Sequence, residues 1–85
     1  MTYRIAILPA AQRQMAALDR EIQRRLDIKI CSLADNPRPS GVVKMAGAED
    51  HWRVRVGDWR IIYSILDREL VVLVVKLGHR REIYR

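Results

Sequence analysis

Residues 51–63, HWRVRVGDWRIIY, leave less freedom to the fold than any other part of the chain. Trp52, Val54 and Val56 alternate with Arg53 and Arg55, so a strand here has one apolar face and one face of guanidinium groups. Gly57-Asp58 then interrupts, and a second β-rich run starts at Trp59. Glycine in the first place of a two-residue loop suits a type II′ hairpin turn. That turn predicts Val56 opposite Trp59, Arg55 opposite Arg60 and Arg53 opposite Ile62. Arg53, Arg55 and Arg60 thereby share one face. Like charges set directly across two strands destabilise a hairpin. Folding gives no reason for that arrangement, whereas a bound polyanion does.

The charge of the whole chain agrees. Sixteen basic residues against 10 acidic ones give a net charge of +6 and a pI near 10.2, which suits nucleic acid or an acidic partner. Only Lys29, Lys44 and Lys76 are lysines. The rest are Arg, whose planar fork fits phosphate, whereas Lys is the commoner choice for simple solubility. The excess lies mostly late: residues 1–50 net +2 (8 minus 6) and residues 51–85 net +4 (8 minus 4). At 85 residues and 49% hydrophobic content, one folded domain over residues 1–85 with a modest core is expected. No apolar run is long enough to span a bilayer and Met1-Thr2-Tyr3 begins no signal peptide, so no membrane association is expected. The lone cysteine, Cys31, has no internal disulfide partner and points to a reducing cytoplasm. It is expected to pack in or near the core as a small hydrophobe.

Along the chain, residues 3–8 suit a short strand, and Pro9 suits the first turn of a helix. Met15, Leu18, Ile22, Leu26, Ile30 and Leu33 recur at helical spacing. Asp19 breaks that stripe as an N-cap, predicting antiparallel helices over 9–18 and 20–35. Arg20, Arg24 and Arg25 fall on the solvent side of the second helix with Glu21 and Asp27. Residues 36–41, NPRPSG, end the helical region. Residues 42–45 suit a short strand and 46–50 a loop. After the hairpin, Asp67-Arg68 turns, and residues 70–77 form a β-branched apolar run expected to be buried on both faces. A two-residue turn pairs Arg60 with Val75 and a three-residue turn pairs it with Lys76. Both bring Gly78-His79-Arg80-Arg81 back beside Arg60. The tail from Glu82 is too short for much structure. The order β-α-α-β-β-β predicts an α+β fold, a single antiparallel sheet of about four strands with both helices on one face.

WRVRVGDWRIIYSI and the ending VVKLGHRREIY carry a more specific signal. Aromatic-Arg-Ile-Ile-Tyr followed by Gly-His-Arg-Arg and a terminal Tyr resembles the RelE branch of the RelE/ParE superfamily of toxin–antitoxin toxins, over nearly the whole chain. The resemblance implies a small metal-independent endoribonuclease that cuts messenger RNA in the ribosomal A site and is held inactive by a cognate antitoxin protein. No cofactor or metal is implied. It places the active site on Arg53, Arg55, Arg60, Arg80 and Tyr84. Arg20, Arg24, Arg25 and Arg81 are expected, from their charge, to meet further RNA phosphates. In such a reaction the ribose 2′-OH attacks the adjacent phosphate and the 5′-oxygen leaves, so cations are needed where negative charge develops. Tyr84 is expected to stack on a base or orient the 2′-OH.

One departure concerns the proton acceptor. The family's best-studied member has lysines where this chain has Arg53 and Arg55, and Arg is a poor base. His79 is the nearby side chain that ordinarily titrates near neutrality, which makes it a candidate base. His51 is read as an incidental surface residue. Arg60 is expected to matter most, and its removal to leave the fold intact by relieving cross-strand repulsion. Two other readings stand beside the nuclease. One is a ParE-type toxin that inhibits DNA gyrase, since fold does not fix function. The other is a plain nucleic-acid-binding module, which binds RNA without cutting it. The full set of arginines with a C-terminal Tyr favours the nuclease.

Overall fold

A computed structural model of the chain describes residues 2–47 and 50–83. Strand β1 (Arg4–Ile7) leads to Pro9, which opens helix α1 (Pro9–Ala16) where a missing N–H costs nothing. Asp19 caps helix α2 (Arg20–Ser32) by accepting a hydrogen bond from the Ile22 N–H at 3.1 Å. Both helices end two or three residues before the expected boundaries, closed by Ala17 and Leu33, whose N–H groups bond back into the last turn. Then follow β2 (Val43–Lys44), β3 (His51–Val56), β4 (Trp59–Leu66), β5 (Val71–His79) and a single turn of helix, α3 (Arg80–Ile83). That turn of helix takes in Glu82 and Ile83, the described part of the tail expected to be too short for much structure.

The β3–β4 hairpin has the expected register, with Val56 opposite Trp59, Arg55 opposite Arg60 and Arg53 opposite Ile62. Gly57 sits at φ +60 while Asp58 does not adopt a positive φ, the signature of the type II′ turn. The α+β class holds, but the sheet is mixed and has five strands in the order β1-β5-β4-β3-β2 rather than about four antiparallel ones. The helix pair carries the chain to the far edge, and antiparallel returns bring β5 back beside β1, parallel to it from Arg4↔Val71 to Ile7↔Val74. The turn between β4 and β5 also differs from both expected lengths. It spans four residues, Asp67 to Leu70, with Leu66 opposite Val71 and Leu70 in the left-handed region at φ 55. A bulge then inserts Val75 into β5, so Arg60 faces Gly78 rather than Val75 or Lys76. Turn length and bulge are both set by local backbone conformation, which the apolar pattern does not encode.

The core lies between the helices and one sheet face, where Leu26, Ile30, Leu33, Ile61, Tyr63 and Leu77 are all but inaccessible. Leu26, Ile30 and Leu33 take the inward stripe of α2 and the turn that follows it. Cys31, one step further round from Ile30, is exposed rather than in the core. Of β5, Val71, Val72, Val74 and Leu77 are buried, while Leu73 and Val75 are half-buried. Among the described residues no helix is long and apolar enough to cross a membrane.

Candidate nucleic-acid interface

Strand β2 is only two residues long and pairs with Trp52 and Arg53 alone. The outer edge of β3 from Val54 to Val56 therefore has no neighbouring strand. A cleft of about 360 Å³ opens there, lined by Arg53, Arg55 and Arg60 from the sheet, Lys29 from α2, and Ser40 and Gly41 from the loop after α2. Four of its side chains are cations, and among the described residues no carboxylate lines it. Prolines at 37 and 39 keep the loop after α2 from resuming a helix, and Ser40 and Gly41 of that loop form one wall of the cleft.

Arg60 shows how the crowding is tolerated. It is 9% exposed, and its Nη1 donates to the carbonyls of Gly57 at 3.2 Å and Trp59 at 3.1 Å. Neutral acceptors fix the guanidinium without cancelling its charge. The same bonds revise the expectation that removing Arg60 leaves the fold untouched, because the side chain braces its own hairpin turn. Arg55, directly opposite, is exposed and Arg53 is half-buried. Arg25 is exposed, as read from the sequence, and its tip reaches the turn: a Cβ at Gly57 would meet its Nη2 at 2.9 Å. With Ile28, Lys29, Arg55 and Val56 it lines a second hollow that continues the first.

The cleft's loop wall is anchored from behind. The buried Tyr63 hydroxyl donates to the Pro37 carbonyl at 2.7 Å, and burial pushes its pKa up to about 12. Arg38 grips Asp67 through Nη2 at 2.9 Å and Nη1 at 3.4 Å, and the Tyr3 hydroxyl donates to the same carboxylate at 2.6 Å. Hydrogen bonds from Arg38 and then Tyr3 hold the Asp67 carboxyl below its ordinary pKa. Arg38 also lies over the Trp52 ring at 5.3 Å, tying the loop to β3.

Other expected site residues lie apart from the cleft. His79 is paired with Trp59 on the helix side of the sheet, its ring edge-on to the indole at 5.6 Å. Its Nδ1 accepts from the Arg81 N–H at 3.3 Å, so the imidazole is turned away from the arginine face. Arg80 starts α3 with its Nε 3.8 Å from an oxygen of Asp58, at the hairpin turn, and Arg81 is exposed beside it. Arg20 and Arg24 line shallow hollows with acidic neighbours, among them Glu21 and Asp27, on the outer side of α2. Tyr84 lies outside the described residues. Lys29 is the cleft member that sequence reasoning missed. The available signal was its place one helical turn after Arg25, beside the buried Ile30. Among the described residues, no group of three or more His, Cys, Asp or Glu gathers at a metal-ligating distance.

Comparison with known proteins places this geometry. The family profile of the ParE toxin of the type II toxin–antitoxin system parDE matches residues 5–84. A RelE-like toxin protein of Escherichia coli is 30% identical over an alignment of 83 positions that covers 94% of this chain and 85% of that protein. The RelE of an archaeal RelE–RelB complex from Pyrococcus horikoshii superposes with a TM-score of 0.83 at 31% identity, over 96% of this chain and 99% of that one. The isolated RelE toxin of E. coli superposes with a TM-score of 0.79 over 96% of this chain and 90% of its own, at 23% identity, a likeness of fold alone.

Proposed function

The chain belongs to the ParE toxin family of type II toxin–antitoxin systems, on the RelE branch of the superfamily, and from that premise we propose that it is a metal-independent endoribonuclease. Its substrate is messenger RNA in the ribosomal A site, in the cytoplasm. The observation that supports this reading is the cleft in which the cations of Arg53, Arg55, Arg60 and Lys29 meet. A phosphate there gathers cations on its non-bridging oxygens, where charge builds up as the 2′-OH attacks. Arg80 stands at the hairpin end to hold a neighbouring phosphate, and Tyr84 supplies the stacking surface. The placement of His79 argues against its serving as the base, because its ring faces Trp59.

The test is primer extension on translating ribosomes with purified protein. Discrete cuts in the message that survive EDTA are the expected result. RNA binding should also be salt-dependent. Four cleft cations on single-stranded RNA give a slope of log K against log salt of about −3, at roughly −0.7 per contact. A flat dependence would make the basic cleft incidental.

The match to a ParE profile favours one second reading, inhibition of DNA gyrase. It yields trapped gyrase–DNA complexes and intact messages in the same extracts. On either reading the partner is a cognate antitoxin, as RelB is for the Pyrococcus protein. The hollow where Ile28, 65% exposed, lies among Arg25, Lys29 and Arg55 suits an acidic amphipathic segment.

A further inference from the structure

We infer that Lys76 carries a second phosphate subsite, on the open sheet face beside the cleft, for the RNA phosphodiester next to the one the cleft holds; its part in cleavage rests on the nuclease reading above. The strand register places it there. Arg53 faces Ile62 across β3 and β4, and Ile62 faces Lys76 across β4 and β5. Residues paired directly across strands project from the same side of a sheet. Arg53, Ile62 and Lys76 therefore form one row, and Arg55, Arg60 and Gly78 form the next. Lys76 stands diagonally from Arg60, at roughly 7–8 Å between backbones. That spacing is close to the step between neighbouring phosphates of a nucleic-acid strand.

The bulge in β5 is what turns Lys76 to that face. Val72 and Val74 are buried in the core, and strict alternation from them would send Lys76 inward and Leu77 outward. Val75 is instead the extra residue between the Tyr63–Val74 and Ile62–Lys76 pairs. Leu77 is thereby seated in the core at 1% exposure, and Lys76 joins the arginines. Keeping position 76 out of the core needs only a polar side chain. A cation there adds to the charge of Arg53, Arg55 and Arg60, which works against folding and favours an anion. The carboxylates of Asp67, Asp50 and Asp58 pair with Arg38, Lys44 and Arg80, and no carboxylate of a described residue pairs with Lys76. An ammonium is a compact charge without the fork that grips a phosphate. A neighbouring phosphate that does not react needs no more, so Lys76 binds and takes no part in bond breaking.

Binding is measured first, on a single-stranded RNA oligonucleotide with 2′-O-methyl riboses, which 2′-OH attack cannot cut. Lys76→Met should bind about fivefold more weakly at low salt. Its slope of log K against log salt should be flatter by about 0.7, and Lys76→Arg should match wild type. In single-turnover cleavage on programmed ribosomes, Lys76→Met should need more protein to reach half its maximal rate. That maximal rate should stay within about threefold of wild type. Messages with a neutral methylphosphonate on one side or the other of the cut then locate the contact. At one of the two positions the neutral linkage should weaken wild type and leave Lys76→Met unaffected. Unchanged affinity and slope in Lys76→Met, or equal penalties from the neutral linkage in both proteins, would overturn the subsite. So would a fall in maximal rate alone, which would move Lys76 to the scissile phosphate. Wild-type protein that binds with this dependence on Lys76 and cuts no message would remove the nuclease reading and leave the subsite in place.

Discussion

At the Asp67 end of the sheet, Arg38 meets one carboxylate oxygen at 2.9 Å and the Tyr3 hydroxyl donates to the other at 2.6 Å. At the Gly57 end, Arg60 meets only backbone carbonyls, and Arg53, Arg55 and Lys29 share its cleft with no carboxylate among the described residues. The two ends use the same side-chain chemistry for different ends. A carboxylate partner orients an arginine and also cancels its field, which suits a clamp. A carbonyl partner orients it and leaves the charge in place, which suits a site that must receive an anion. The contrast is informative because a hairpin chosen for stability alone would not set Arg55 against Arg60.

Arg60→Ala tests the charged end most severely. Removing a preorganised donor to developing charge should slow single-turnover cleavage by roughly 10²–10³-fold. The variant also loses two hydrogen bonds at the turn and gains relief from Arg55, a net destabilisation of about 1 kcal/mol. Rates are therefore compared per folded molecule, with urea denaturation alongside. Near-wild-type cleavage in a destabilised protein would make Arg60 a structural brace and misplace the site.

Ser40→Asp erases the contrast from the other side, because it puts a carboxylate on the exposed loop wall of the cleft. At a few ångströms through water, one added charge costs about 1 kcal/mol, or roughly fivefold in RNA affinity. Stability should not change, since Ser40 is exposed. Unchanged affinity, measured by filter binding at low salt, would mean RNA takes another surface.

Tyr63→Phe loosens the loop wall without touching a charge. It leaves the Pro37 carbonyl without its 2.7 Å donor in a buried place, at about 1–2 kcal/mol of stability. Its pH signature has a definite sign. Burial raises the Tyr63 pKa from 10.0 to about 12, so the folded state holds that proton more tightly. The stability is fully present below pH 10.0 and is lost as pH rises toward about 12. Urea midpoints of wild type should fall over that range more steeply than those of Tyr63→Phe. Parallel curves would show that the hydroxyl is not the buried group responsible.

What was legible in the sequence followed from strict periods. Alternation at Trp52 to Val56 and the Gly57 turn give the hairpin register, because a one-residue slip would send the arginines into the core. Asp19 and Pro9 mark helix starts by chemistry that does not depend on tertiary context. The four-residue turn, the bulge at Val75 and the parallel β1–β5 pair are set by backbone conformation and by closure of the sheet, which carry no period. His79 shows the consequence for the site. Sequence nearness to Gly78 and Arg80 suggested a shared site, but one step along a strand changes face, and its ring went to Trp59. Lys29 shows the reverse. It is remote in sequence from the hairpin, and only the docking of α2 against the open β3 edge brings it to Arg55.

Asp67→Asn is the mildest change and asks whether the clamp end works by charge. The Arg38–Asp67 pair is 44% and 55% exposed, so solvent screens it and its loss should cost less than that of the Tyr63 hydroxyl. Hydrogen bonds from Arg38 and Tyr3 depress the carboxyl pKa below its ordinary 3.8, which means the folded state favours the ionised form. Its contribution is present above pH 3.8 and disappears as pH falls through the lower folded-state value. Wild type should therefore exceed Asp67→Asn in urea midpoint at neutral pH, and the two should converge in acid. Asn keeps an acceptor for the Tyr3 hydroxyl but offers Arg38 no charge. Cleavage at neutral pH should be unchanged, because the Tyr63 bond to Pro37 still holds the loop against the cleft. A midpoint difference that persists unchanged into acid would mean that the clamp acts by packing Arg38 over Trp52, and that charge pairing does not distinguish the two ends.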